Sequence, residues 1–168
     1  MRRSIAPAAL ALALALPAVP ALAGAQASFV DRNGKTVGTA TLTDTGKGVL
    51  IEVEAKGLAA NRWVGFHIHE NGVCEPGETF KSAGGHYNPT GAGHGYLDPK
   101  GPHAGDMPNQ YVGEDGTLRA HVFNPMVRLE GGNAPILGKA LMIHGKADDY
   151  KSQPAGDAGD RQACAVIE

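Results

Sequence analysis

Aromatic residues make up only 5% of this 168-residue chain, with a single Trp, and cysteine occurs just twice. Neither a Cys-x-x-Cys pair nor a His-Glu-x-x-His motif is present, which removes dithiol redox chemistry and the usual signature of a zinc hydrolase. Charge of one sign is never concentrated. Lys plus Arg number 15 against 17 Asp plus Glu, a formal charge of -2, so no basic footprint exists and nucleic acid is not an expected partner. Beyond the first stretch, nothing is apolar for the roughly 20 residues that a membrane span requires. What is abundant is punctuation: 24 Gly and 11 Pro describe one turn-rich domain rather than a helical bundle or several domains.

Arg2 and Arg3 precede a continuous Ala/Leu run from Ala8 to Leu16, followed by small residues at Ala21-Leu22-Ala23 and Ala25-Gln26-Ala27. This is the layout of a secretory signal peptide, cleavable after Ala23 or Ala27. Taking the leader as residues 1–27 leaves a domain of 141 residues, 28–168, with a charge of -4 once Arg2 and Arg3 are gone. A periplasmic or secreted location is expected. In such an oxidising compartment Cys74 and Cys164 favour one disulfide. Closing that loop of about 90 residues would contribute at most about 4 to 5 kcal/mol in the chain-entropy picture.

From Ala27 onward short alternating segments are bounded by turn residues. Phe29-Val30 precedes Asp31-Arg32-Asn33-Gly34, a strong hairpin signal, and further strands are expected through Val37 to Thr41, Val49 to Glu54 and Trp63 to His69. Residues 70–109 then crowd Gly, Pro, Asn and His together, a loop long enough to be functional. Strand signals return at Gln110 to Val112, Thr117 to Phe123, Lys139 to His144 and Ala163 to Ile167, with a second polar excursion over 145–162. The pattern predicts an all-β sandwich or barrel of about eight antiparallel strands with two long loops.

All seven histidines lie between positions 67 and 144. On a strand, His67 and His69 share one face while Val64, Phe66 and Ile68 take the other, so the two imidazoles form a rigid two-toothed claw. His86, His94, His103 and Asp106 lie in a segment too Gly-rich to order itself by apolar packing, and three imidazoles with a carboxylate suit a closed tetrahedral zinc site. His144, ending a Leu-Met-Ile strand, could meet the claw across the sheets; imidazole-rich sites without thiolate suit copper or zinc. These are seven ligands, whereas two four-coordinate ions need eight positions, so one ligand must be shared, and a single imidazolate, with two nitrogens, could bridge. His121 alternates with Val122 on the outward phase and is expected to be no ligand. Phe123, Trp63 and Tyr111 share that outward phase and suggest a subunit contact.

These residues resemble the copper/zinc superoxide dismutase family, bacterial periplasmic type, over nearly the whole mature chain. Gly65-Phe66-His67-Ile68-His69-Glu70 resembles its copper strand, and Gly84-Gly85-His86-Tyr87-Asn88-Pro89 the segment of its bridging histidine. His94-Gly95 and His103-Ala104-Gly105-Asp106 resemble its zinc loop, at intervals of 8, 9 and 3 from His86. His144-Gly145-Lys146-Ala147-Asp148 and Gly159-Asp160-Arg161-Gln162-Ala163-Cys164 resemble the segments of the last copper ligand and the active-site arginine.

The resemblance implies a Greek-key barrel with copper on His67, His69, His86 and His144 and zinc on His86, His94, His103 and Asp106. It further implies a Cys74–Cys164 disulfide anchoring the first loop, and Asp148 as the acceptor linking a copper histidine to a zinc histidine. Superoxide would be the substrate, converted to dioxygen and hydrogen peroxide by cycling Cu(II)/Cu(I), with Arg161 positioning the anion and His86 carrying a proton. A homodimer is one assembly open to such a chain. The alternative is a non-catalytic copper- or zinc-binding protein of the same fold. Two departures from the family's eukaryotic pattern stand out: a short stretch from Asp149 to Arg161 whose acids are Asp157 and Asp160, and a longer interval from Cys74 to His86 containing Glu75-Pro76-Gly77-Glu78-Thr79-Phe80.

Overall fold

A computed structural model describes residues 24–168, so the body of the expected leader lies outside the described residues. The described residues form nine strands: β1 (Gly24–Asp31), β2 (Thr36–Asp44), β3 (Val49–Ala55), β4 (Arg62–Val64), β5 (Phe66–His69), β6 (Gln110–Val112), β7 (Leu118–Asn124), β8 (Ala140–His144) and β9 (Arg161–Val166). One expected strand, Trp63 to His69, is thus two, and the first starts at Gly24 rather than near Ala27. Ala25, Ala27 and Phe29 on β1 all point into the core, so these small residues are strand as much as processing signal.

Strand order is β4-β6-β7-β3-β2-β1-β9-β8-β5, with antiparallel pairing throughout. The two ends of that order, β4 and β5, are consecutive in the chain and joined by Gly65 alone, so the sheet curls into a nearly closed barrel. Gly65 donates its N–H to the Lys146 carbonyl at 2.8 Å and accepts from the His144 N–H at 2.9 Å. A Cβ there would sit 2.9 Å from both Ala158 Cβ and His67 Cε1, which explains the glycine.

The expected hairpin at Asn33-Gly34 forms, with Asp31 Oδ1 accepting the N–H groups of Asn33 and Lys35 and Gly34 at φ 78°. Few aromatics are needed inside because the barrel is filled by alternate aliphatic positions, among them Leu42, Ile51, Ile68, Leu118, Leu141 and Ile143 around Phe29 and Phe66. A smaller cluster of Phe80, Ala83, Ala140, Met142 and Cys164 lies beneath the start of the long loop, with Val30 and Cys74 against it. Cys74 and Cys164 are disulfide-bonded, Cα atoms 5.6 Å apart, pinning that loop to β9. Two short 3-10 turns, Pro76–Glu78 and Lys81–Ala83, shape the inserted stretch and deliver the Phe80 ring into this cluster.

The far end of the barrel is tied by Asp44, a buried carboxylate at the close of β2. It accepts from Arg128 Nε at 2.9 and 3.0 Å, from the Leu129 N–H at 3.0 Å and from the Gly46 N–H at 2.8 Å. The Arg128 side chain, helped by those backbone donors, outweighs burial and holds the Asp44 carboxyl at about 2. A carboxyl depressed in the folded state stabilises above its ordinary value near 4 and loses that contribution as pH falls towards 2. Asp44→Asn is therefore expected to destabilise by about 2 kcal/mol at pH 7, with the gap to wild type narrowing below pH 4 in denaturant titrations.

Candidate metal centre

Strand β5 is the organising element. On one edge it pairs with β8, placing His67 opposite Met142 and His69 opposite Ala140. Its other edge is finished by the long loop: the Ile68 N–H donates to the Gly105 carbonyl and the Ile68 carbonyl accepts from Tyr87, each at 2.8 Å. Those bonds create isolated bridges between His67 and Asp106 and between His69 and His86. A Cβ on Gly105 would fall 2.3 Å from the Ile68 carbonyl oxygen, so only glycine allows this approach.

The result is six imidazoles and two carboxylates buried together: His67, His69, His86, His94, His103, His144, Asp106 and Asp148. Donor atoms of His67, His69, His86 and His144 lie within 4.8 Å of one another, as do those of His86, His94, His103 and Asp106. The structure brings the seven residues expected as ligands together, and His86 belongs to both groups. His69 and His144 face each other through Nε2 at 3.4 Å. The Nδ1 atoms of His86, His94 and His103 converge on Asp106 Oδ1 at 2.9, 3.2 and 3.3 Å. Asp148 accepts from His67 Nε2 at 2.7 Å through one oxygen and from His94 Nε2 at 3.0 Å through the other, spanning the two groups.

Electrostatics follow from this packing. Burial, reinforced by neighbouring imidazoles, pushes His69 and His144 well below the usual histidine value and His86 down to about 4; burial also lowers His67 against the opposing pull of Asp148. Neutral imidazoles with free lone pairs are what metal ligation needs. For His94 burial acts in the same direction, but hydrogen bonds and charges from Asp106 and Asp148 win and raise it to about 9. Burial disfavours both carboxylates, yet their hydrogen bonds hold Asp106 and Asp148 far below the ordinary range.

Among the described residues three buried ring nitrogens make no hydrogen bond: His67 Nδ1, His86 Nε2 and His103 Nδ1, the last with only its 3.3 Å ionic approach to Asp106 Oδ1, outside hydrogen-bond geometry. The first two lie in the all-imidazole group and the third in the His/Asp group, so each group offers ring nitrogens that a bound cation would satisfy. Four imidazoles suit copper, and three imidazoles with one carboxylate suit zinc.

A sequence profile of the copper/zinc superoxide dismutase (SODC) family matches residues 36–167. The chain belongs to the copper/zinc superoxide dismutase family. Cu-Zn superoxide dismutase 2 of Aquifex aeolicus is 52% identical over 147 residues, 85% of either chain. A SOD-like protein from Bacillus subtilis superposes with a TM-score of 0.81 at 38% identity, covering 85% of this chain and 97% of that one. Cu/Zn superoxide dismutase from Brucella abortus gives 0.73 at 32% identity, covering 87% and 100%. Copper and zinc are thus the cofactors of this dismutase fold, and the donor sets above fit both.

Arg161, at the start of β9, donates its guanidinium N–H groups to the carbonyls of Phe80 and Gly84. The Gly84 carbonyl also accepts from His69 Nδ1 at 3.0 Å, which leaves His69 Nε2 towards the metal group. The second long loop walls a cleft of about 450 Å³ that reaches His144, lined by Ser152, Gln153, Pro154, Ala155 and Gly159 among others. His121 lies outside the centre, 72% exposed beside Glu52, as its strand phase predicted. Phe80, Asn109 and Gln153 contribute to the centre without any local sequence signal: an aromatic in a loop and two amides among polar residues give no sign of the backbone they meet. Asp148→Ala is expected to lower zinc affinity by about 10- to 100-fold, read by chelator competition on the disulfide-bonded protein.

Proposed function

We propose that this chain dismutates superoxide at a copper site of His67, His69, His86 and His144, with zinc held by His86, His94, His103 and Asp106. The observation that carries the reading is the pair of partnerless nitrogens on His67 and His86 within a buried all-imidazole group that shares His86 with a closed His/Asp set. Copper, when bound, supplies the one-electron oxidation and reduction by which two superoxide anions and two protons become dioxygen and hydrogen peroxide.

The protein's own groups do the rest. Arg161 keeps its charge under all ordinary conditions and presents several donors, so it holds the small anion beside the imidazole group. Its guanidinium is aimed by the Phe80 and Gly84 carbonyls, and the Cys74–Cys164 disulfide fixes the loop that carries them. His86 Nε2 holds one of the protons consumed, because no other side chain competes for that atom. Asp148 fixes the orientation of the His67 and His94 rings.

The leader at the N-terminus and the disulfide together support a periplasmic location. Cleavage after Ala23 would leave β1 whole, whereas cleavage after Ala27 would remove the Gly24 to Ala27 rungs paired with β2. A homodimer is supported by Trp63 and Tyr111, edge to face at 5.2 Å and both about half exposed on the outward side of β4 and β6.

Loaded with equimolar copper and zinc, the disulfide-bonded protein is expected to accelerate superoxide decay, more slowly as ionic strength rises, because a protein of net negative charge attracts an anion only through a local positive field. Arg161→Ala is expected to lose about 10- to 100-fold in rate, the range for removing a charge-assisted contact. Absence of catalysis from a sample shown to hold both metals would leave a metal-binding barrel and overturn the enzyme reading.

A further inference from the structure

The two long loops are held together by more than the metal residues. Gln153, on the second loop, reaches across to the first: its Oε1 accepts from the His94 N–H at 2.9 Å and its Nε2 donates to the His94 carbonyl at 3.1 Å. The same Nε2 lies 2.8 Å from Asp98 Oδ2, a second tie to the first loop. Asn109, at the end of the first loop, makes the converse arrangement. Its Oδ1 accepts from the Asp148 N–H at 2.8 Å and its Nδ2 donates to the Asp148 carbonyl at 2.9 Å. The Asn109 N–H is itself spent on the Tyr150 hydroxyl at 2.8 Å.

A primary amide that takes both the N–H and the C=O of one residue does the work of a neighbouring strand, satisfying backbone that a loop would otherwise leave to water. Here each loop lends one such amide to the other. The residues they grip are the two whose side chains meet in the centre, His94 Nε2 and Asp148 Oδ1 at 3.0 Å. His94 and Asp148 are therefore held from the backbone side by amides and from the side-chain side by each other. Neither backbone can turn without breaking two hydrogen bonds.

We propose that Asn109 and Gln153 are positioning residues, a reciprocal pair of amide clasps that sets the zinc site's affinity and geometry by fixing His94 and Asp148. The proposal rests on the zinc set named above. Gln153 also lines the cleft wall beside His144, so the clasp that orients a zinc ligand belongs to the surface that bounds the copper group. An ordinary polar contact would add a little stability; a clasp of this kind changes how the metal is held.

The test uses the full disulfide-bonded protein and two readouts: zinc affinity by chelator competition, and the visible absorption of Co(II) placed in the zinc site, which reports ligand geometry. Gln153→Ala and Asn109→Ala are each expected to weaken zinc by about 10-fold and to shift the Co(II) bands, effects of the size seen when an outer partner of a ligand is removed. Gln153→Met keeps the side chain's length and removes both polar atoms, so it is expected to behave like Gln153→Ala. Variants that lower only the melting temperature, with affinity within twofold of wild type and an unchanged Co(II) spectrum, overturn the proposal. His94→Ala serves as the control for the zinc set: if it leaves zinc affinity unchanged, the zinc assignment falls and the clasps' role falls with it. If His94→Ala abolishes binding while the amide variants do not, the clasps alone are refuted.

Discussion

Packing six imidazoles and two carboxylates out of water is the constraint on which the rest of this molecule depends. A buried polar atom without a partner costs about 1 to 3 kcal/mol, and the cluster holds three such ring nitrogens. Asp106 and Asp148 relieve part of that burden by accepting from several rings each, but acceptors cannot satisfy lone pairs. Cations placed between the rings do so. The barrel, which by itself needs no metal to bury Leu42, Ile51 or Phe66, thus supports a polar core that does.

The support is divided between a rigid and a soft part. His67, His69 and His144 stand on paired strands, whose ladders fix their directions, and Gly65 lets the chain turn from the outward β4 into β5 without displacing the His67 ring. His86, His94, His103 and Asp106 come from irregular chain. Their order comes from the edge bonds of Ile68, the disulfide with the Phe80 cluster beside it, and the second loop lying across them. Arg161 joins the parts: its backbone belongs to β9 and accepts from Arg32 Nε at 2.8 Å, while its guanidinium grips the loop that ends in His86.

Much of this was legible in the residues because strand phase is a strict period. His67 and His69 share one face, His121 lies on the solvent side, and seven ligands for eight positions require one of them to be shared, all from the residues alone. The division at Gly65 was not legible, since Val64, Phe66 and Ile68 keep alternating across it and the change of partner strand is a tertiary event. The start of β1 was obscured because Ala25 and Ala27 serve equally as a processing signal and as small core residues. Asp148 acquired a role only through family resemblance; as a lone loop acid it looks like solvated surface. Gln153 was invisible, for an amide in a polar loop announces nothing until its opposite backbone is known.

One feature of β5 bears on how such a chain can vary. His86 and Asp106 are located by the short bridges that Tyr87 and Gly105 make to Ile68, not by the number of residues between one ligand and the next. Insertions or deletions in the stretch from Glu75 to Thr79 leave those bridges untouched. Inserting a single residue between His86 and Tyr87, or between Gly105 and Asp106, would slip the register and turn a ligand away from the centre. Length is free in one part of the loop and quantised in the other.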